Sequence, residues 1–280
     1  MIDGNTILIA HLGYPTTTFK APMIYNPYFR KAGINAAVMT MGVKSEDYAD
    51  VLRPLFKLTN IRGALVTMPH KVTTVELLDD VTTAVRVSGS CNAILKRPDG
   101  SLLGDMFDGE GFVRAVWRKG FVPAGKNILV VGSGGVGSAI ASSFAAANAA
   151  VIALHDASSE AMSGLANRLR MHYPKLSVIT GPSDPAGYDL VVNATPLGMN
   201  VGDQMPMDVT RISQATFVGD VVMKQEMTPF LIAAKKEVVK FKWASTCYSN
   251  RFPRIWNFLV FRPQRPKNSC NWRKLRTDQV

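Results

Sequence analysis

The run Val130-Val-Gly-Ser-Gly-Gly-Val-Gly-Ser138 constrains this chain most. It follows a short apolar stretch, Asn127-Ile-Leu-Val-Val131, and opens an alanine-rich segment that reads as a helix. Gly132, Gly134 and Gly137 fit G-x-G-x-x-G. Between a strand and a helix, those glycines permit a tight turn and bring backbone N–H groups close to a pyrophosphate at the positive helix end. A second strand follows over 150–154, and Asp156 closes it 24 positions after Gly132. A carboxylate there accepts hydrogen bonds from an adenosine ribose diol and repels a 2′-phosphate. NAD is therefore the preferred cofactor and NADP the second choice. His155, beside it, reads as a surface residue.

The rest of the body alternates in the same way. Apolar runs at 36–41, 63–68, 88–95, 127–131, 176–180, 189–193 and 216–222 read as strands. Helical spacing is found at 46–58, 72–81, 109–119 and 158–172. Alternation of this kind implies parallel sheets with helical cover. The fold class is α/β: an N-terminal α/β substrate domain over 1–108 and a Rossmann-type dinucleotide-binding domain over 109–236, meeting near 109–126.

Charge is distributed unevenly. The net +11 suggests a nucleic-acid partner until it is mapped. Residues 237–280 hold ten Lys/Arg and two Asp/Glu, a local +8 that leaves only +3 on the preceding 236 residues. The body is therefore nearly balanced, and neither a nucleic acid nor a membrane is expected as partner. No apolar run reaches the ~18 residues of a membrane span. The first residues lack the basic and apolar regions of a signal peptide. The three cysteines, Cys91, Cys247 and Cys270, are widely spaced, which fits a reducing, cytoplasmic setting and makes no metal site.

Two further segments can carry chemistry. Thr67-Met-Pro-His-Lys71 ends a strand at a proline-forced break, and Asp105-Met-Phe-Asp108 precedes the next helix. Strand ends are where such sheets place their reactive groups. Lys71 and Asp108 facing one cleft can relay a proton while a nicotinamide exchanges hydride. Burial and neighbouring groups can tune a lysine toward the working pH.

With these segments in hand, the chain resembles the shikimate/quinate 5-dehydrogenases over nearly all of 5–236. The matching blocks are Gly13-Tyr-Pro15 with Pro22 and Asn26; Val66-Thr-Met-Pro-His-Lys71; Gly89-Ser-Cys-Asn92; Gly104 with Asp108-Gly109 and Gly111; the glycine loop; Asn193-Ala-Thr-Pro-Leu-Gly-Met199; and Asp220 through Pro229. The resemblance implies reversible NAD(P)-dependent oxidation of a ring hydroxyl on a shikimate-, quinate- or aminoshikimate-like carboxylate. It implies Lys71 as the catalytic lysine and Asp108 as its partner, with Thr67, Asn92 and Asp108 on the substrate's hydroxyls. It assigns the cofactor to Gly132, Gly134, Gly135, Val136, Gly137, Asp156, Asn193, Ala194, Thr195 and Val221. A monomer or homodimer is expected.

The departures touch substrate recognition. The family's Ser-x-Ser carboxylate clamp is here Phe19 and Ala21, with Lys20 between them. Thr16, Thr17, Thr18 or the Lys20 ammonium stands nearest to replace it, and Thr18 and Lys20 are carried forward as candidates. The strand asparagine two places before Thr67 is Leu65, and the one two places before Asp108 is Met106. Sites built on polar partners discriminate strongly when those partners change. The alternative expectation is a catalytically impaired dinucleotide-binding homologue.

Residues 237–280 lack the family's Gly-x-x-Met-Leu-x-x-Gln segment and returning helix. Read one base out of register from Glu237 onward, with synonymous codons chosen freely, the tail becomes compatible with that ending. The family's glutamine then falls at Arg251, and a shifted reading frame beginning near Lys235-Lys236 is the expectation. In the present frame Pro253, Pro263 and Pro266 forbid a continuous helix, and Trp243, Trp256 and Phe258 are candidates for an exposed, aggregation-prone surface.

Overall fold

A computed structural model of the chain describes residues 2–200, 202–222, 227–237 and 243–245. Its first half contains strands β1 (Ile7–Gly13), β2 (Ala36–Gly42), β3 (Ile61–Val66), β4 (Asp80–Val81), β5 (Ala93–Lys96) and β6 (Leu102–Asp105). Helices α1 (Ala21–Lys31), α2 (Tyr48–Leu55), α3 (Thr73–Glu76) and α4 (Thr83–Ser88) connect them. The sheet order is β2-β1-β3-β5-β6-β4.

Period-two alternation on the strands decides what each face buries. Ala10 and Leu12 of β1 and Ala64 and Val66 of β3 pack with Tyr48 and Leu52 of α2. Ile9 and Leu65, on the other face, pack with Tyr25 and Phe29 of α1. Each large apolar side chain buried this way contributes ~1.5–3 kcal/mol.

The second half begins with α5 (Asp108–Arg118) and continues through β7 (Asn127–Val131), α6 (Gly135–Ala146), β8 (Val151–His155), α7 (Ser159–His172), β9 (Ser177–Thr180), β10 (Leu190–Asn193), β11 (Phe217–Asp220), α8 (Pro229–Glu237) and β12 (Trp243–Ser245). The order β9-β8-β7-β10-β11-β12 is that of a doubly wound dinucleotide-binding sheet, and every pairing in it is parallel. Alternate residues of β7 again split between two cores. Ile128 and Val130 meet Phe112, Phe144 and Leu165, while Leu129 and Val131 meet Phe230 and Leu231.

The two halves touch closely. A Cβ on Gly109 would collide with the Ala139 carbonyl, so glycine allows α5 to lie directly on α6. Val87 of α4 belongs to the core of the second half. Arg168 Nε donates to the Val87 carbonyl at 2.7 Å, and Ser90 Oγ donates to the Gly135 carbonyl at 3.2 Å.

Several sequence expectations change. The helix expected over 72–81 is only the single turn α3, followed by the short strand β4. The strand expected over 88–95 starts at Ala93, because α4 fills the preceding segment and ends at Gly89, whose φ of 64° stops a helix without a Cβ clash. The first sheet is mixed, since β5 runs antiparallel to β3 and β6. Strands β1 and β6 and helix α1 were not anticipated. The tail expectations beyond Ser245, including Arg251, Pro253, Trp256 and Phe258, lie outside the described residues. Of Trp243 the backbone alone is described, as the start of β12.

Candidate active site

Lys71 and Asp108 meet at the C-terminal end of the first sheet. The chain leaves β3 at Val66, turns at Thr67-Met-Pro69, and presents Lys71 before α3. Asp108 is the first residue of α5, where the helix N-terminus favours a carboxylate. Lys71 Nζ lies 2.5 Å from Asp108 Oδ2, with the lysine side chain 16% and the aspartate 3% exposed. The other carboxylate oxygen, Oδ1, accepts from Asn92 Nδ2 at 2.6 Å. Asn92 Oδ1 in turn accepts from Phe107 N at 3.0 Å, so the amide orientation is set from both sides. Asp108 is thereby aimed by two donors, and an ion pair sheltered this far is screened much less than a surface one.

Thr67 is half-buried beside this trio. Its backbone is pinned by Thr67 N donating to the Leu12 carbonyl at 2.9 Å. A Cβ on Gly13 would strike the Thr67 methyl and come within 2.9 Å of Phe19 Cζ, so glycine is required for the close approach of these loops. Lys20 is exposed at the start of α1, and Thr18 lies in a single turn at Thr16–Thr18, its side chain outside the described set.

One group went unnoticed in the sequence: His11, in the middle of β1. It is 6% exposed, its ring centroid is 4.2 Å from that of Phe19, and its Nδ1 is enclosed without a hydrogen-bond partner among the described residues. Burial, with the Lys71 charge adding to it, pushes its pKa down to about 4. The signal available was a histidine interrupting an otherwise apolar strand.

The residues present fit a dinucleotide. Gly132 has φ 107°, and a Cβ there would lie 2.7 Å from the Ala194 backbone. A Cβ on Gly137 would be driven into the Gly132 carbonyl. Gly134 differs: a Cβ there meets nothing within 4 Å, leaving open space before the N-terminus of α6. Gly134 caps that helix without a side chain, and Gly135, Val136 and Gly137 form its first turn. This is a cradle for an anion.

Asp156 follows β8, with Oδ2 accepting from Ser133 N at 2.5 Å and Oδ1 from Ser158 N at 2.8 Å. It therefore both orders the loop and carries charge beside it. The second loop packs directly on the first through Ala194. Asn193 Nδ2 donates to the Leu197 carbonyl and to Asp220 Oδ1, and its Oδ1 accepts from Thr195 N and Oγ1. Its amide is thus engaged inside its own loop. Val221, half-buried, donates its N–H to the Asn193 carbonyl at 3.0 Å. Asp220 is fully buried and held by Thr228 Oγ1 at 2.5 Å, and burial pushes its carboxyl upward.

No group of three or more candidate metal ligands and no helix long and apolar enough to cross a membrane is found among the described residues.

Known proteins are similar to this chain in sequence and fold. The family model for the shikimate dehydrogenase substrate binding domain matches residues 12–94. The shikimate dehydrogenase (NADP(+)) of Rubrobacter xylanophilus is 33% identical over 238 residues, 84% of each chain. That of Geobacter metallireducens is 31% identical over 243 residues, again 84% of each. Among solved structures, shikimate 5-dehydrogenase from Listeria monocytogenes, in complex with shikimate and NAD, shares the fold with a TM-score of 0.84 at 22% identity, covering 93% of this chain and 94% of that one. The 5-ketofructose reductase of a Gluconobacter strain shares it with a TM-score of 0.82 at 24% identity, covering 93% and 95%.

Proposed function

The chain belongs to the shikimate dehydrogenase family, an NAD(P)-dependent oxidoreductase family, and from that premise we propose that it interconverts a ring hydroxyl and a ketone on a cyclic hydroxy-carboxylate. The observation that carries this reading is the Lys71–Asp108–Asn92 chain of contacts at the sheet end. Shikimate, quinate and aminoshikimate are the candidate substrates. Residues 1–108 hold the substrate and 109–236 the cofactor. The proposed setting is cytoplasmic.

When bound, a nicotinamide cofactor supplies the two-electron acceptor or donor. The chain's own residues handle the proton and the geometry. Lys71 Nζ, as the neutral amine, takes the hydroxyl proton during oxidation and, as the ammonium, returns one to the carbonyl oxygen during reduction. Asp108 orients that ammonium and accepts a hydrogen bond from a ring hydroxyl. Asn92 holds Asp108 and offers its amide to the same hydroxyls, and Thr67, just after β3, offers its hydroxyl to them as well. Asp156 supports a preference for NAD, because a 2′-phosphate there meets a carboxylate at short range. Such repulsion is worth on the order of 1–4 kcal/mol.

One observation favours a weaker enzyme. Phe19 and Ala21 stand where the family's carboxylate clamp has hydroxyls, leaving Thr18 and Lys20 to meet the carboxylate. Initial rates with both cofactors across the three acids separate the readings. Turnover of any one supports the dehydrogenase. Cofactor binding without turnover supports the impaired homologue.

A further inference from the structure

His11 has no part in the mechanism above, yet its ring lies against Phe19 and close enough to Lys71 for that charge to act on it. Side chains of β1 alternate, so His11 shares a face with Ile9 and Gly13, the face that carries Leu65, Ala93 and Phe107. In register, His11 lies beside Leu65 on β3. Leu65 is the position at which the resembled family carries a strand asparagine. The hydrogen-bonding group missing from β3 thus stands one strand over, on β1. Phe19, at one of the two clamp positions, lies against the imidazole with ring centroids 4.2 Å apart. The enclosed Nδ1 has no partner among the described residues, an arrangement that proteins keep rarely and usually for a reason. With burial and the Lys71 charge holding the ring neutral, it suits an uncharged hydroxyl better than a carboxylate.

We propose that His11 is a specificity-determining residue of the substrate site, hydrogen-bonding a ring hydroxyl of the bound substrate from β1 in place of the amide the family presents from β3. Phe19 fixes the plane of the imidazole, and the buried, apolar Leu65 beside it offers no competing hydrogen-bonding group. This assignment rests on the functional reading given above and names the group that tunes substrate choice within it.

The test uses the full chain with His11→Leu, His11→Gln and the exchange His11→Leu/Leu65→Asn. Steady-state constants are measured with shikimate, quinate and aminoshikimate, and substrate binding by thermal shift in the presence of NAD. His11→Leu is expected to raise KM roughly 10- to 100-fold for the preferred acid, with cofactor affinity unchanged. His11→Gln is expected to recover part of that loss, and the exchange to alter the rank order of the three acids. Equal KM values in wild type and His11→Leu, for an acid that wild type turns over, overturn the assignment of His11 alone. A wild type that neither binds nor turns over any of the three overturns it together with the functional reading. Loss of cofactor binding in both His11→Leu and His11→Gln assigns the residue to folding and also overturns the proposal.

Discussion

Lys71 Nζ stands 2.5 Å from Asp108 Oδ2, although one residue follows a strand and the other begins a helix 37 positions later. Neither is positioned by local sequence. The lysine is carried by the turn after β3, the aspartate by the entry into α5, and Asn92 on the intervening segment bonds the aspartate from the far side.

Asn92→Ala removes the amide that donates to Asp108 Oδ1 and accepts from the Phe107 N–H inside a buried site. The variant is expected to lose ~1–3 kcal/mol of stability. Turnover is expected to fall while cofactor binding stays near normal. Urea unfolding and cofactor titration read the two effects separately, and unchanged stability and turnover together would mean that Asn92 does not hold Asp108.

Two glycines of the loop should behave differently. Gly137→Ala forces a methyl into the Gly132 carbonyl, so its melting temperature should drop by several degrees. Gly134→Ala meets open space and should melt like wild type. Its methyl instead occupies the anion cradle, so cofactor affinity should fall at least tenfold. Equal affinity in Gly134→Ala and wild type would place the pyrophosphate elsewhere.

Asp156 is expected to set the cofactor ratio. Asp156→Ser keeps a small polar group beside Ser133 N and removes the charge, and should narrow the preference for NAD over NADP. Asp156→Arg should reverse it. Specificity constants for both cofactors measure this, and a parent enzyme using the two equally well would remove the basis for the prediction.

His11 gives the protein an acid sensitivity of known sign. Its pKa is depressed from 6.5 to about 4 in the folded chain, so the stability it contributes is complete above pH 6.5 and is lost as pH falls toward 4. The full loss corresponds to about 3 kcal/mol. Denaturant midpoints of wild type and His11→Leu should therefore diverge between pH 7 and pH 4.5, the wild type weakening more. Parallel pH dependences would show that His11 already carries its charge when folded.

Much of this molecule was legible before its fold was known. The strands and the helix that flank the glycine loop follow from local rules and are present as β7, α6 and β8, with Asp156 directly after β8. Lys71 and Asp108 could be listed from their places at a strand end and a helix start, and Asn92 from the resemblance, but not their contacts, which depend on how β3, β5 and α5 converge. The segment 72–95 misled because its helices are one or two turns long and Gly89 ends one of them, too short for periodicity to register. His11 stayed hidden because its meaning is a cross-strand one: it depends on Leu65 lying beside it in a register that the sequence does not display.

The most direct test of the central claim is the rate of reduced nicotinamide formation by wild type and Lys71→Ala, with the family-like ending restored after Lys236 in both so that the tail does not confound the result. With shikimate, quinate or aminoshikimate as substrate, the wild type should turn over. Lys71→Ala should lose roughly 10²–10⁴-fold of that rate while binding the cofactor as before. A Lys71→Ala enzyme that keeps most of the wild-type rate would contradict the account, because some other group would then be moving the proton.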